Sequence, residues 1–269
     1  VTYQALILLI SVSLILYLSA TAESRILGHI LATVLVSAVL VIKFRLWTWP
    51  TDQVFAAMRN LRASSITFMP HSIISAFVGN IDRIGATILL ETSALGIYLL
   101  ISQLVAGVFP ALQPLNNVLV PRVYSILDRG TEKKSLRPLY YLIACILIFP
   151  FLMSFVLYLL QPIIFDVILP AEYRAGQSVI IVLAGFQFFQ VSSMLCSIIP
   201  TYFLKGALIS ASTIFSMIVL LASSAILLIN DATSVKLAFC LLVSGAARFV
   251  FIFVSSVYLI RKYVSSLKV

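Results

Sequence analysis

Runs of apolar residues, broken at short polar intervals, recur along the whole chain. Eight runs lie at residues 4–20, 27–43, 65–90, 94–120, 138–160, 177–204, 206–229 and 234–260. Each is close to the roughly 20 residues that an α-helix needs to cross a bilayer. None alternates apolar and polar residues with the period of two that outer-membrane strands require. The pattern predicts an all-α polytopic membrane protein of about eight transmembrane helices, here called A to H. Between B and C, Val54, Phe55, Met58 and Leu61 recur at i, i+1, i+4 and i+7, with Asp52, Gln53, Arg59 and Asn60 elsewhere around the helix. With Pro50 at its start and Trp47 and Trp49 as aromatic anchors, this stretch reads as an amphipathic helix lying on the membrane surface.

Composition agrees with the pattern. The 269 residues are 62% hydrophobic and 10% charged, against about 25% charged in a soluble domain. A water-soluble enzyme, a nucleic-acid-binding domain and a disordered tail are excluded. The formal charge of +9 changes meaning once the charges are placed. Lys43, Arg45, Arg59 and Arg62 follow B, and Arg122, Arg129, Lys133, Lys134 and Arg137 follow D. Lys205 follows F, and Arg261, Lys262 and Lys268 follow H. The opposite loops hold only Arg25, Arg174 and Lys236. Basic residues collect on the cytoplasmic side, so both ends of the chain are expected there. Most of the excess thus reports topology rather than a polyanionic partner, and no nucleic acid is expected.

Charged groups inside a span cost about 2.5–3.5 kcal/mol each on insertion scales and mark pathways or pairs. Three stand out: Asp82 and Arg83 in C, and Arg248 in H. Adjacent helical residues point about 100° apart, so Arg248 is the available partner for Asp82, which would leave Arg83 in surplus. His71, Ser75, Gly79 and Asp82, spaced 4, 4 and 3, share one face of C, with Asn80 beside it. Helix D aligns Gln103, Gly107, Pro110, Pro114 and Asn117, and F aligns Gln187, Gln190 and Ser197. Small and polar stripes form close helix contacts or line a cavity. Three such faces together predict a shared internal cavity, with these residues as its substrate contacts. His71 and Asp82 are the candidates for H⁺ or Na⁺ coupling.

Catalytic and cofactor chemistry has no motif here: there is no HExxH, no GxSxG, no Gly-rich phosphate loop and no carboxylate cluster. Cys145, Cys196 and Cys240 are far apart within apolar runs and read as small buried hydrophobes, not metal ligands. No enzyme activity, cofactor or metal is expected.

Three short motifs in C and D, Phe68-Met69-Pro70-His71-Ser72, Asp82-Arg83 and Gly96-Ile97-Tyr98, resemble the seventh-span region of bacterial O-antigen-type polysaccharide flippases. Leu169-Pro170-Ala171-Glu172-Tyr173-Arg174-Ala175 is similar to the L-x-x-E-Y-x-x-A run of that family. The likeness covers residues 60–180. It implies a MATE-like arrangement of two six-helix bundles around a central cavity that opens alternately to each side. Residues 1–46 would be the last two helices of the first bundle, 47–63 the cytoplasmic connector and 64–269 the complete second bundle. The chain, which opens on Val1, would then be preceded in the full protein by about 150 residues carrying four more spans.

The resemblance further implies a flippase of the bacterial inner membrane. It would move an undecaprenyl-pyrophosphate-linked oligosaccharide for O-antigen or surface polysaccharide synthesis. A polysaccharide polymerase and a chain-length regulator would be its partners. The alternative is a cation-coupled multidrug exporter of the same superfamily. A membrane polymerase or ligase is a weaker reading, because the longest outer loop is only residues 161–176.

Overall fold

A computed structural model of the chain describes residues 13, 22–43, 52–133, 137–229 and 231–266. The described residues are helical, with no strand among them. The helices are α1 (Ala22–Lys43), α2 (Asp52–Leu89), α3 (Thr92–Ala106), α4 (Val108–Lys133), α5 (Arg137–Ile163), α6 (Gln177–Cys196), α7 (Ile198–Tyr202), α8 (Gly206–Leu227) and α9 (Ser234–Ser266). A π-helical turn (Ile164–Ile168) and a 3-10 turn (Ala171–Gly176) join α5 to α6. The chain divides into two units, Val1–Leu61 and Arg62–Val269. In the first, α1 exposes Leu27, Ile30, Leu31, Val34, Leu35 and Ile42.

The second unit is apolar outside, and its apolar interior holds buried small polar residues. Ile88, Val167, Ile226 and Ile229 are each at least 75% exposed, whereas Ser192, Ser212, Thr213 and Ser244 are almost wholly buried. Water would not tolerate such an apolar surface on a monomer, but lipid does, and small polar residues then serve as contacts between helices. Among the described residues, five stretches are long and apolar enough to cross a membrane: Ile66–Leu89, Leu147–Ile168, Ala171–Tyr202, Gly206–Leu227 and Ser234–Tyr263. The polar contacts occur where helices meet. The hydroxyls of Ser216 of α8 and Ser244 of α9 lie 2.8 Å apart, each within reach of the other's backbone carbonyl at 3.2 and 3.0 Å, and their two protons serve two of these three contacts at a time. Ser154 of α5 donates to Ala184 O of α6 at 3.0 Å.

Helix ends alternate between two faces of this unit. At one face Tyr202 of α7 donates to Asp128 Oδ1 of α4 at 2.5 Å, and Tyr263 of α9 donates to Leu127 O at 3.2 Å. At the other, Gln161 of α5 caps Gln177 O of α6 at 3.0 Å, and Gly176 packs against Ile97 and Ile101 of α3. One apolar core lies toward each face, the first around Leu127, Leu195 and Ile260, the second around Tyr98, Ile101 and Val179.

The structure corrects the sequence reading in two places. Span D is not one helix over 94–120: α3 ends at Ala106, and α4 starts after a turn at Gly107. Pro110 has no N–H to give the Ala106 carbonyl, so the ladder breaks there. The amphipathic connector is not a separate surface helix ending at 63. α2 runs without interruption from Asp52 to Leu89. Span A, apart from residue 13, and residues 47–51 lie outside the described residues.

Candidate functional site

Within the second unit α2, α3, α6 and α9 line a half-open cavity of about 560 Å³. Its α2 wall is the predicted stripe: His71, Ser75, Gly79 and Asp82 line it, and Arg83 follows at the edge. The 4, 4, 3 spacing keeps these residues on one side of the helix. From α6 come Gln187, Gln190 and, past the helix end, Ser197. α9 contributes Arg248, near the midpoint of the Ser234–Tyr263 stretch. The α3 wall consists of Ser102, Val105 and Ala106.

Three expected contacts lie elsewhere. Asn80 is exposed and donates to Ala76 O of its own helix at 2.9 Å. Gln103 and Asn117 are exposed and are not among the lining residues. Gln103 adjoins Ser102, and a shift of one residue turns a side chain by about 100°. The expected Asp82–Arg248 pair does not form. Arg248 Nη1 donates instead to Gln190 Oε1 at 3.0 Å, while its Nε is buried without a hydrogen-bond partner. A buried donor left without an acceptor costs about 1–3 kcal/mol.

Asp82 is only 9% exposed and has no ion pair among the described residues. The wholly buried Tyr98 hydroxyl lies beside it without forming a hydrogen bond of good geometry. Arg83 likewise has no ion pair among the described residues. The cavity therefore holds two guanidinium groups that no carboxylate neutralises directly.

His71 is held from α8. Thr213 Oγ1 lies 2.7 Å from His71 Nδ1 and also donates to Ile209 O at 3.0 Å. Thr213 has one hydroxyl proton. Given to Ile209, it leaves the oxygen to accept from Nδ1–H, and Nε2 becomes the acceptor of the neutral ring. Ser75 Oγ is 3.2 Å from the same Nδ1. Thr213 and Ser102 were not singled out in the sequence, and Tyr98 only as part of the Gly96-Ile97-Tyr98 motif. For Thr213 a signal existed: Ser210, Ser212, Thr213 and Ser216 crowd one apolar span.

Chemically the site offers positive charge, amides and hydroxyls inside an apolar shell. No group of three metal-ligating side chains occurs among the described residues. No known family model, curated protein or solved structure matches this chain, so the likeness to polysaccharide flippases rests on its motifs.

Proposed function

We propose that the chain is part of an alternating-access flippase that moves an undecaprenyl-pyrophosphate-linked oligosaccharide across the bacterial inner membrane. Eight spans, the last two of one bundle and all six of the next in a MATE-like arrangement, would carry it, with both ends cytoplasmic. The observation that supports this most is the cavity itself. Arg83 and Arg248, against the single carboxylate of Asp82, bring an excess of positive charge to a membrane-embedded space that Gln187, Gln190, Ser75 and Ser102 make suitable for sugar hydroxyls. Intramembrane charge of this kind marks a substrate path. Asp82 and His71 are the groups that would couple transport to H⁺ or Na⁺.

A cation-coupled drug exporter would be better served by a net negative cavity, and two arginines against one aspartate disfavour it. The test is export of surface glycan by the full protein in a strain lacking its own exporter. Arg83→Ala and Arg248→Ala should abolish export at unchanged protein level. Normal export by both variants would sink the reading.

A further inference from the structure

Gln190 was expected to touch the substrate, yet its carboxamide oxygen is already engaged. It accepts from Arg248 Nη1 at 3.0 Å. Arg248 has five N–H donors on a planar fork, and among the described residues this is the one side-chain acceptor within hydrogen-bond range. Nε is sealed from solvent with nothing to bond, and no described carboxylate forms an ion pair with the group. A half-buried charged group so under-supplied with protein acceptors has N–H donors left for a partner that comes and goes. Arg83, by contrast, is exposed on α2, and no side chain orients it among the described residues.

We infer that Arg248 is the fixed oxyanion contact of the cavity and that Gln190 is its positioning residue. Gln190 ties down one arm of the fork, so the remaining Nη–H donors meet the ligand in a set orientation. Because Gln190 is neutral, it orients the charge without consuming it. The ligand group is an oxygen pair such as a phosphate or carboxylate presents. This inference rests on the reading of the cavity as the path of an anionic substrate, but its test does not depend on export.

The full protein, purified in detergent, is melted with and without inorganic pyrophosphate or glucuronate, with sodium chloride of equal ionic strength as reference. At least one anion should raise the melting temperature, and which one does so separates a phosphate from an acidic-sugar source. Arg248→Ala should remove the shift.

Gln190→Glu is the discriminating variant. It places a carboxylate on the guanidinium at nearly unchanged volume. Without ligand it should melt at or above the wild type, yet its affinity for the anion should fall at least tenfold. Gln190→Leu keeps the charge but frees the fork, and should melt lower while binding about threefold more weakly. A purely structural Gln190 would instead leave anion binding in Gln190→Glu intact, which overturns the proposal. So does the absence of any shift in the wild type, or a full shift in Arg248→Ala. Loss of export without any anion binding would leave the flippase reading standing and this one refuted.

Discussion

Pro200 cannot donate to the Cys196 carbonyl one turn earlier, so α6 must end there with an acceptor exposed inside an apolar bundle. Ser256 of α9, 2% exposed, supplies the missing donor: its hydroxyl reaches Cys196 O at 3.0 Å. The same bond ties α6 to α9, the two helices that carry Gln190 and Arg248. Interhelical bonds of this kind contribute about 0.6 kcal/mol on average and up to about 1.7 kcal/mol. Ser256→Ala leaves the carbonyl bare and should cost about 1 kcal/mol. In the Pro200→Ala background a backbone N–H is restored, and the loss should shrink. A double-mutant cycle of unfolding free energies checks this. Equal cost of Ser256→Ala in both backgrounds would show that Ser256 acts through packing alone.

α2 and α8 meet through a missing side chain. A Cβ on Gly206 would stand 2.5 Å from Thr67 Oγ1 and 2.8 Å from the Phe68 ring. One turn further along α8, Ser210 donates to Thr67 O at 2.6 Å, and beyond it Thr213 meets His71. Gly206→Ala should therefore wedge the helices apart, cost about 1–3 kcal/mol and loosen His71. Gly96, with nothing within 4 Å of its would-be Cβ, is the contrast: Gly96→Ala should be neutral or stabilising by up to about 1 kcal/mol. Thermal melting of the two variants decides, and equal melting points would refute the close approach at Gly206.

This scale also shows what the sequence made legible. The stripe on α2 and the Gln187–Gln190 face of α6 could be read because helical spacing alone decides which residues share a side. Which side faces inward could not be read. Gln103 and Asn117 were chosen for polarity, whereas the α3 wall is the less polar Ser102, Val105 and Ala106. Nor does spacing give relative depth between helices, and so Arg248 was matched to Asp82 instead of Gln190. The Gly-Ile-Tyr and Leu-Pro-Ala-Glu-Tyr segments have a packing role besides any other. Ile97 and Ile101 press on Gly176, leaving no room there for a Cβ.

Across the second unit, charge sorts by end. Glu91, Asp166, Glu172 and Asp231 lie at the end where α2, α5 and α8 finish, and Lys205, Arg261 and Lys262 lie at the other. The few basic residues at the acidic end are matched locally. Arg174 pairs with Asp166 at 3.1 Å, and Lys236 with Asp231 at 3.2 Å. Exposed pairs of this kind add little stability. Paired or not, these few leave that end poor in basic residues, and it is the Lys/Arg bias between the two ends, not net charge, that fixes orientation during insertion. The basic end should face the cytoplasm and the acidic end the outside. Single-cysteine reporters test this in a background with Cys145, Cys196 and Cys240 replaced. A membrane-impermeant thiol reagent should label Glu172→Cys in intact cells and Lys262→Cys only after the membrane is opened, since both native side chains are exposed. Labelling of Lys262→Cys in intact cells would invert the topology. The α2 end that carries His71 would then face outward, and the order in which substrate meets His71, Arg248 and Arg83 along the cavity would be reversed.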